Sequence, residues 1–383
     1  LTPAAWVGGF LPEPDPVACA ITHFGESVGQ AVRKACRPAP PAAKAGLVAA
    51  LEAWSQAGLA IGGDGPAAGS RVAVVVAGQN SANEILLPAA QDLAASGRLS
   101  NGRLMQVGHD SYLVSLISEV LGARAEGAVV GGAQASGHMA QLHGARLLAS
   151  GEADAILVVG APSRLTPLEI AGYQAMGALA ADIEDALAFG CRSFDARACG
   201  FVPVEMAAAM LLETEEHADR RSVPVRARLT GWAAAMHGTT LPRPDAVAAG
   251  HVMQRALTGA GLVRDDITAV SAHATGTPLG DRVEAEALVS VFDQGVWINT
   301  AKSILGHGLN AAGVLESVCS VLQMGDGFLH GCRGLKEPVV EGLRYVPQGG
   351  VRQRVDRILN IGFGFGGFNA AVVLEHPDLG EPV

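Results

Sequence analysis

The chain has 383 residues, with 27 Lys+Arg against 37 Asp+Glu and hence a net charge of −10. Hydrophobic residues make up 49% and charged residues only 17%, which excludes a disordered, solvating polypeptide. The acidic balance, without a basic stripe, argues against nucleic acid, and no run of about 18 apolar residues is present to cross a membrane.

The length exceeds a modal domain, so two lobes or an internal duplication are expected. The opening LTPAAWVGGF lacks a basic segment followed by an apolar core, so no signal peptide is expected. Six Cys stand at 19, 36, 191, 199, 319 and 332, with no CxxC and no zinc spacing. They read as reduced thiols of a cytoplasmic protein, mostly core fillers.

The first 65 residues show one clear element, a helical pattern over 46–59, and GGDGPAAGS (62–70) reads as a loop. RVAVVVAGQ (71–79) is a β-branched run of strand length. Helices follow over 83–96, where Pro88 begins or kinks the run, and over 111–123. GAVVGGA (127–133), the amphipathic QASGHMAQLHGARLLASG (134–151) and AILVVGA (155–161) then read as strand, sharp turn, helix and strand, the crossover that parallel strands need. An apolar run covers 206–213.

The second half repeats the style. Strands read over 223–235, 267–277 and 296–303, and helices over 245–261, 281–292 and 310–324, with Asp281 as the expected N-cap of 281–292. Residues 355–375 read as two strands around a Gly-rich turn. This alternation makes the class α/β, with two halves, 1–222 and 223–383, the first carrying Gln134 and the second His273, Lys302 and His307.

Three loops follow strands and could carry chemistry: Gln134 after GAVVGGA, His273 in SAHATGTPLGD, and Lys302 with His307 in AKSILGHGLNAAG. Functional groups in open α/β sheets collect at the carboxyl ends of strands. GFGFGGFN (362–369) spells a dinucleotide-type glycine pattern, but it lies between strands with no βαβ unit after it, so a dinucleotide site is rejected.

From about residue 71 to 376 the chain resembles a β-ketoacyl synthase of the thiolase fold. The resemblance rests on HATGTPLGDRVEAEAL, KSILGHGLNAAG, SFDARACGFVPVEMAAA and GFGFGGFN. It implies a duplicated five-layer αβαβα architecture and a His–Lys–His set at His273, Lys302 and His307. The nucleophilic Cys of the family would stand at Gln134, counting back from Gly151-Glu152-Ala153-Asp154. An amide cannot be acylated at neutral pH, so no acyl-enzyme is expected. Cys199 and Met206 also depart from the usual Asp and Gly.

Among homologues without the Cys, GGAQASGHMAQLHGARLL, HDSYLVSLISEVLGARAEG and PLEIAGYQAMGAL resemble the stand-alone enzymes of polyketide β-branching cassettes, which work beside an HMG-CoA-synthase-like enzyme and usually carry Ser there. The resemblance implies decarboxylation of malonyl-ACP to acetyl-ACP. The alternative is a non-condensing partner subunit, like a chain-length factor, in a heterodimeric ketosynthase.

Loss of CO2 leaves an enolate on the thioester oxygen, which His273 and His307 would stabilise with N–H donors while Lys302 orients the loop. The Gln134 amide has the bond count of an acetylated Cys, and the backbone N–H groups of Gln134 and Phe365 would hold its oxygen. The family match makes Thr275 and Thr277 contacts for phosphopantetheine amides and Phe365 a gate.

His138 and His143 do not share one face, and neither a metal nor another cofactor is expected, since the substrate rides on the phosphopantetheine of a carrier protein. The implied partners are that acyl carrier protein and a second copy of the chain, paired across the strand before Gln134. The carrier is acidic, so docking needs local basic residues, with Arg103, Arg146 and Arg220 as candidates.

Overall fold

The computed structural model describes residues 14–61, 70–99, 101–180, 191–292 and 295–379. The opening decapeptide and residues 62–69 of the expected loop lie outside them.

A first sheet holds β1 (Val72–Ala77), β2 (Gly127–Val130), β3 (Ala155–Gly160) and β4 (Ala208–Glu213) in the order β2-β1-β3-β4. β1 pairs parallel with β2 and β3, and β3 pairs antiparallel with β4. β1 and β3 are buried along their whole length, which their unbroken apolar sequences allow.

A second sheet holds β5 (Arg228–Met236), β6 (Ala269–Ser271), β7 (Trp297–Asn299), β9 (Arg344–Tyr345), β11 (Arg357–Gly364) and β12 (Phe368–Glu375), in the order β5-β12-β11-β6-β7-β9. β8 (Phe328–Leu329) and β10 (Val351–Arg352) form a small separate ladder.

Within the second sheet, the run β7-β6-β11-β12 repeats the first sheet strand for strand. Its pairings are parallel, parallel and antiparallel, as in β2-β1-β3-β4. The duplication extends to the turns. After β2 the chain passes through Ala133 at φ 49° into the helix Ser136–Ala149, and after β7 through Leu309 at φ 51° into the helix Ala312–Asp326. The local sequences GAQASG and GLNAAG match accordingly.

These two helices lie side by side and touch strands of both sheets, forming the middle layer. They meet at glycines: a Cβ on Gly137 would lie 2.6 Å from the Val314 nitrogen, and one on Gly313 would lie 2.7 Å from the His138 nitrogen. Helices Pro41–Gln56 and Ser111–Leu121 cover the outer face of the first sheet, and Ala246–Gly259 and Pro278–Val291 cover the second. Helix, sheet, helix, sheet and helix make the five-layer thiolase-like αβαβα arrangement.

Several expected boundaries move. The N-terminal stretch holds two further helices, Pro16–Phe24 and Glu26–Ala35, the first capped by the Asp15 carboxylate. The strands expected over 267–277 and 296–303 shrink to three residues each, because the backbone leaves the sheet to build loops. Pro88 sits inside the helix Asn83–Ser96. Asp281 is not an N-cap. The helix starts at Pro278, whose fixed φ suits a first turn, and Thr277 takes the cap position. The Asp281 carboxylate turns back to accept Gly276 N–H at 3.0 Å and Phe194 N–H at 2.6 Å.

Candidate active site

Four chain segments converge on one cavity of about 250 Å³. The first is the elbow after β2. Ala133 sits in the left-handed region, and Ser136 braces it by accepting Gly132 N–H at 2.9 Å and donating to the Ala133 carbonyl at 2.6 Å. This bend projects Gln134 into the cavity at the start of the middle-layer helix.

The second segment follows β6. Glu284 accepts the backbone N–H groups of His273 and Ala274, each at 2.7 Å, and so clamps the loop from the neighbouring helix. Gly276 is required: a Cβ there would lie 1.6 Å from the Cys191 carbonyl oxygen. Burial pushes Asp281 up to about 7, and burial with the Asp281 charge pushes Glu284 up to about 8. The Thr275 and Thr277 hydroxyls lie 3.0 Å apart on the cavity wall.

The third segment follows β7. Lys302 is buried and paired with the carboxylate of Glu316, itself buried on the helix Ala312–Asp326. The Lys302 ammonium also lies 3.5 Å from His273 Nδ1. His307 is fully buried, and its Nδ1 accepts Leu309 N–H at 3.3 Å. Both imidazoles therefore carry their hydrogen on Nε2 when neutral. The Nε2 of His307 has no hydrogen-bond partner among the described residues. The rings stand 5.7 Å apart between centroids and nearly perpendicular, at 88°. Burial, then the Lys302 charge, holds both well below the ordinary imidazole range, so they are neutral donors.

The fourth segment is the turn between β11 and β12. Gly364 approaches the elbow so closely that a Cβ would lie 2.3 Å from the Gly132 carbonyl oxygen. This contact brings Phe365 N–H within 3.0 Å of Gln134 Oε1, so Phe365 supplies one of the two donors expected for the amide oxygen.

Gln134, His273, His307, Thr275, Thr277 and Phe365 all line the cavity, and Lys302 touches it through His273. Arg103, Arg146 and Arg220 do not line it. Arg220 instead pairs with Glu216 and Asp154, and the exposed Arg243 is the basic residue at this cavity. His138 and His143 point to different partners, Asn360 and Glu126. Among the described residues one set, Cys19, His23 and Glu52 on the outer helices, brings metal-type ligand atoms within 4.8 Å of one another, apart from this cavity.

Despite Cys199 and Met206, the loop 191–206 is seated by main-chain hydrogen bonds between Gly200 and Gly276, Phe201 and Ala178, and Val204 and His307. Sequence reasoning missed Glu316 and Glu284. The buried Glu in the apolar stretch NAAGVLES was a signal for the first.

The family description "Beta-ketoacyl synthase, N-terminal domain" matches residues 14–218, and "Beta-ketoacyl synthase, C-terminal domain" matches residues 226–336. The chain belongs to the β-ketoacyl synthase family. Its relatives include the polyketide biosynthesis malonyl-ACP decarboxylase PksF of Bacillus subtilis, 34% identical over 348 residues that cover 90% of this chain and 82% of that protein.

A β-ketoacyl synthase from Burkholderia phymatum superposes with a TM-score of 0.82 at 25% identity, covering 90% of this chain and 84% of the other. The AntDE:AntF complex, a type II PKS acyl-carrier protein with its ketosynthase, superposes at 0.80 and 25% identity, covering 87% and 84%. At position 134, where the resemblance implies a nucleophilic Cys, the structure holds an amide whose oxygen accepts Phe365 N–H at 3.0 Å.

Proposed function

We propose that this protein decarboxylates malonyl-ACP to acetyl-ACP in polyketide biosynthesis, with neither an acyl-enzyme nor a condensation step. The observation that carries this reading is the Gln134–Phe365 hydrogen bond facing two neutral imidazoles across one cavity. The relative PksF, a polyketide biosynthesis malonyl-ACP decarboxylase, supports it.

In the reaction the malonyl thioester oxygen receives the Nε2–H groups of His273 and His307. The bond between the methylene carbon and the carboxylate breaks, its electron pair passes to the thioester oxygen as an enolate, and CO2 leaves. The enolate carbon then takes one proton from water. Fixed donors in a desolvated site stabilise developing charge without reorganising, which is where most of the rate originates. Lys302, held by Glu316, keeps His273 oriented and adds positive field. Thr275 and Thr277 take the amides of the phosphopantetheine arm, and Phe365 supports Gln134. No metal or other cofactor enters the scheme.

Arg243 and the exposed Leu241 and Leu279 beside the cavity suit an acidic carrier protein with an apolar contact face. Among the described residues β2 is an edge strand with its outer side unpaired, which supports a homodimer formed across it. Action in the cytoplasm within a β-branching cassette, beside an HMG-synthase-like enzyme, follows from the same reading.

Incubating the protein alone with malonyl-ACP and following the carrier's mass tests the proposal. Loss of one CO2, abolished in His273→Ala, is expected. A chain that is inert alone and active only with a Cys-bearing synthase would instead be a partner subunit.

A further inference from the structure

Residues three and four apart on a helix share one face. On the helix Pro16–Phe24 this spacing puts Cys19 beside His23, and on the helix Pro41–Gln56 it puts Glu52 beside Val48 and Ser55. The two helices pack with these faces together. The Cys19 thiol lies 4.0 Å from the Val48 carbonyl oxygen, and His23 Nδ1 lies 3.2 Å from the Ser55 hydroxyl.

One ligand-type atom from each of Cys19, His23 and Glu52 lies within 4.8 Å of the other two. Zinc bonds of about 2.0–2.3 Å in a tetrahedron set ligand atoms roughly 3.5 Å apart. His23 and Glu52 are exposed and Cys19 is half-buried, so rotation of two surface side chains closes the difference around the thiol. Thiolate, imidazole and carboxylate are the mixed donors that zinc-type ions take, whereas magnesium and calcium ask for oxygen alone.

The local charge favours a cation. Burial, then the Glu52 and Asp15 carboxylates, pushes the Cys19 thiol up to about 11, so the sulfur keeps its proton when no ion is bound. Those same carboxylates attract a dication, and a coordinating thiol is deprotonated outright. Asp15 adds field but not a ligand, because its Oδ1 accepts the N–H groups of Val17 and Ala18 at the start of the helix. His23 stands in the last turn, at the negative end of the helix, which also suits positive charge.

We propose that Cys19, His23 and Glu52 form a surface site for a zinc-type divalent ion, which clips the helix Pro16–Phe24 to the helix Pro41–Gln56. Binding exchanges the Cys19 S–H bond for a sulfur–metal bond and releases one proton to solvent, and water fills the fourth position of the tetrahedron. None of the three residues lines the decarboxylation cavity, so the site stands whatever chemistry that cavity performs.

The test is metal binding to the full chain after treatment with a chelator, with Zn2+ titrated against a chromophoric competitor and Co2+ as the spectroscopic probe. Co2+ should give the near-ultraviolet charge-transfer absorption of a thiolate–cobalt bond, and excess Mg2+ should not displace Zn2+. Cys19→Ser should abolish that absorption. His23→Ala and Glu52→Gln, both at exposed positions, should weaken Zn2+ binding by about a hundredfold, since losing a group that merely orients a ligand already costs about 10–100-fold. Zn2+ should raise the thermal midpoint of the wild type, and that rise should vanish in His23→Ala. Equal Zn2+ affinity in wild type and His23→Ala, or a thiolate–cobalt band that survives Cys19→Ser, overturns the proposal and leaves the decarboxylase reading untouched.

Discussion

The backbone N–H of Phe365 lies 3.0 Å from Oε1 of Gln134, so the β11–β12 turn and the elbow after β2 are joined through the side chain that the sequence resemblance puts at the family's nucleophile position. An acyl-enzyme makes such a contact only while it carries its acyl group; here the contact is built into the chain.

Gln134→Cys should undo this. A thiol at the start of the helix Ser136–Ala149, near two imidazoles, is favourably placed to ionise. Intact mass after incubation with acetyl-ACP should show one acetyl group on the variant and none on the wild type. An unmodified variant would count against residue 134 as the nucleophile position.

His307→Ala should lower kcat by about 10²–10³, the usual cost of an oxyanion donor, with KM nearly unchanged because the donor acts on charge that develops in the transition state. A large rise in KM with kcat intact would make His307 a binding residue. Its Nε2, otherwise without a described partner, gives the geometric basis.

The buried Lys302–Glu316 pair yields a stability prediction. Removing one partner, by Lys302→Met or Glu316→Leu, should destabilise the protein by about 3–5 kcal/mol, because the other charge stays buried and unpaired. The double variant should recover much of that stability in urea unfolding but not the activity, since His273 Nδ1 loses its 3.5 Å neighbour. Recovery of both would make the pair purely structural.

The depressed imidazoles fix the pH behaviour. His138 is held down to about 4 by burial, and His273 and His307 also lie well below the usual value near 6.5. Between 6.5 and the folded values the unfolded chain binds protons that the native chain excludes. These three groups therefore make stability complete above pH 6.5 and erode it as pH falls toward 4. Decarboxylation should show no inflection at 6.5, and its acid limb should track unfolding. Single-turnover rates and circular dichroism over pH 5–8 would check both, and a rate inflection at 6.5 without unfolding would refute the assignment of neutral imidazoles.

Much of this was legible in the sequence. β1 and β3 are unbroken apolar runs, and the helices were marked by period and by terminal residues such as Gly122 and Gly151. Five of the seven candidate site residues were legible because HATGT and KSILGH are specific strings, while Gln134 came from counting back from Gly151-Glu152-Ala153-Asp154 and Phe365 from GFGFGGFN. Other features were hidden for physical reasons. The elbows at Ala133 and Leu309 take positive φ without glycine, under tertiary constraint. Asp281 has the letter and spacing of an N-cap, but the loop's need for a buried acceptor overrode that local role. Tyr173 lies inside the recognised PLEIAGYQAMGAL, but its packing on Phe201 at the cavity wall is a tertiary contact that the string does not show. β6 and β7 are too short for alternation to register.

The glycine contact between Gly137 and Gly313 has a mechanical consequence. Backbone pressed on backbone along the seam of the two sheets works as a weld, not a hinge, because any rocking would drive main chain into main chain. The seam, from which Gln134 projects, therefore has no jaws to shut over its guest. The cargo must therefore meet Gln134 where the seam holds it, and any closure over the reacting carbon has to come from elsewhere than these two helices.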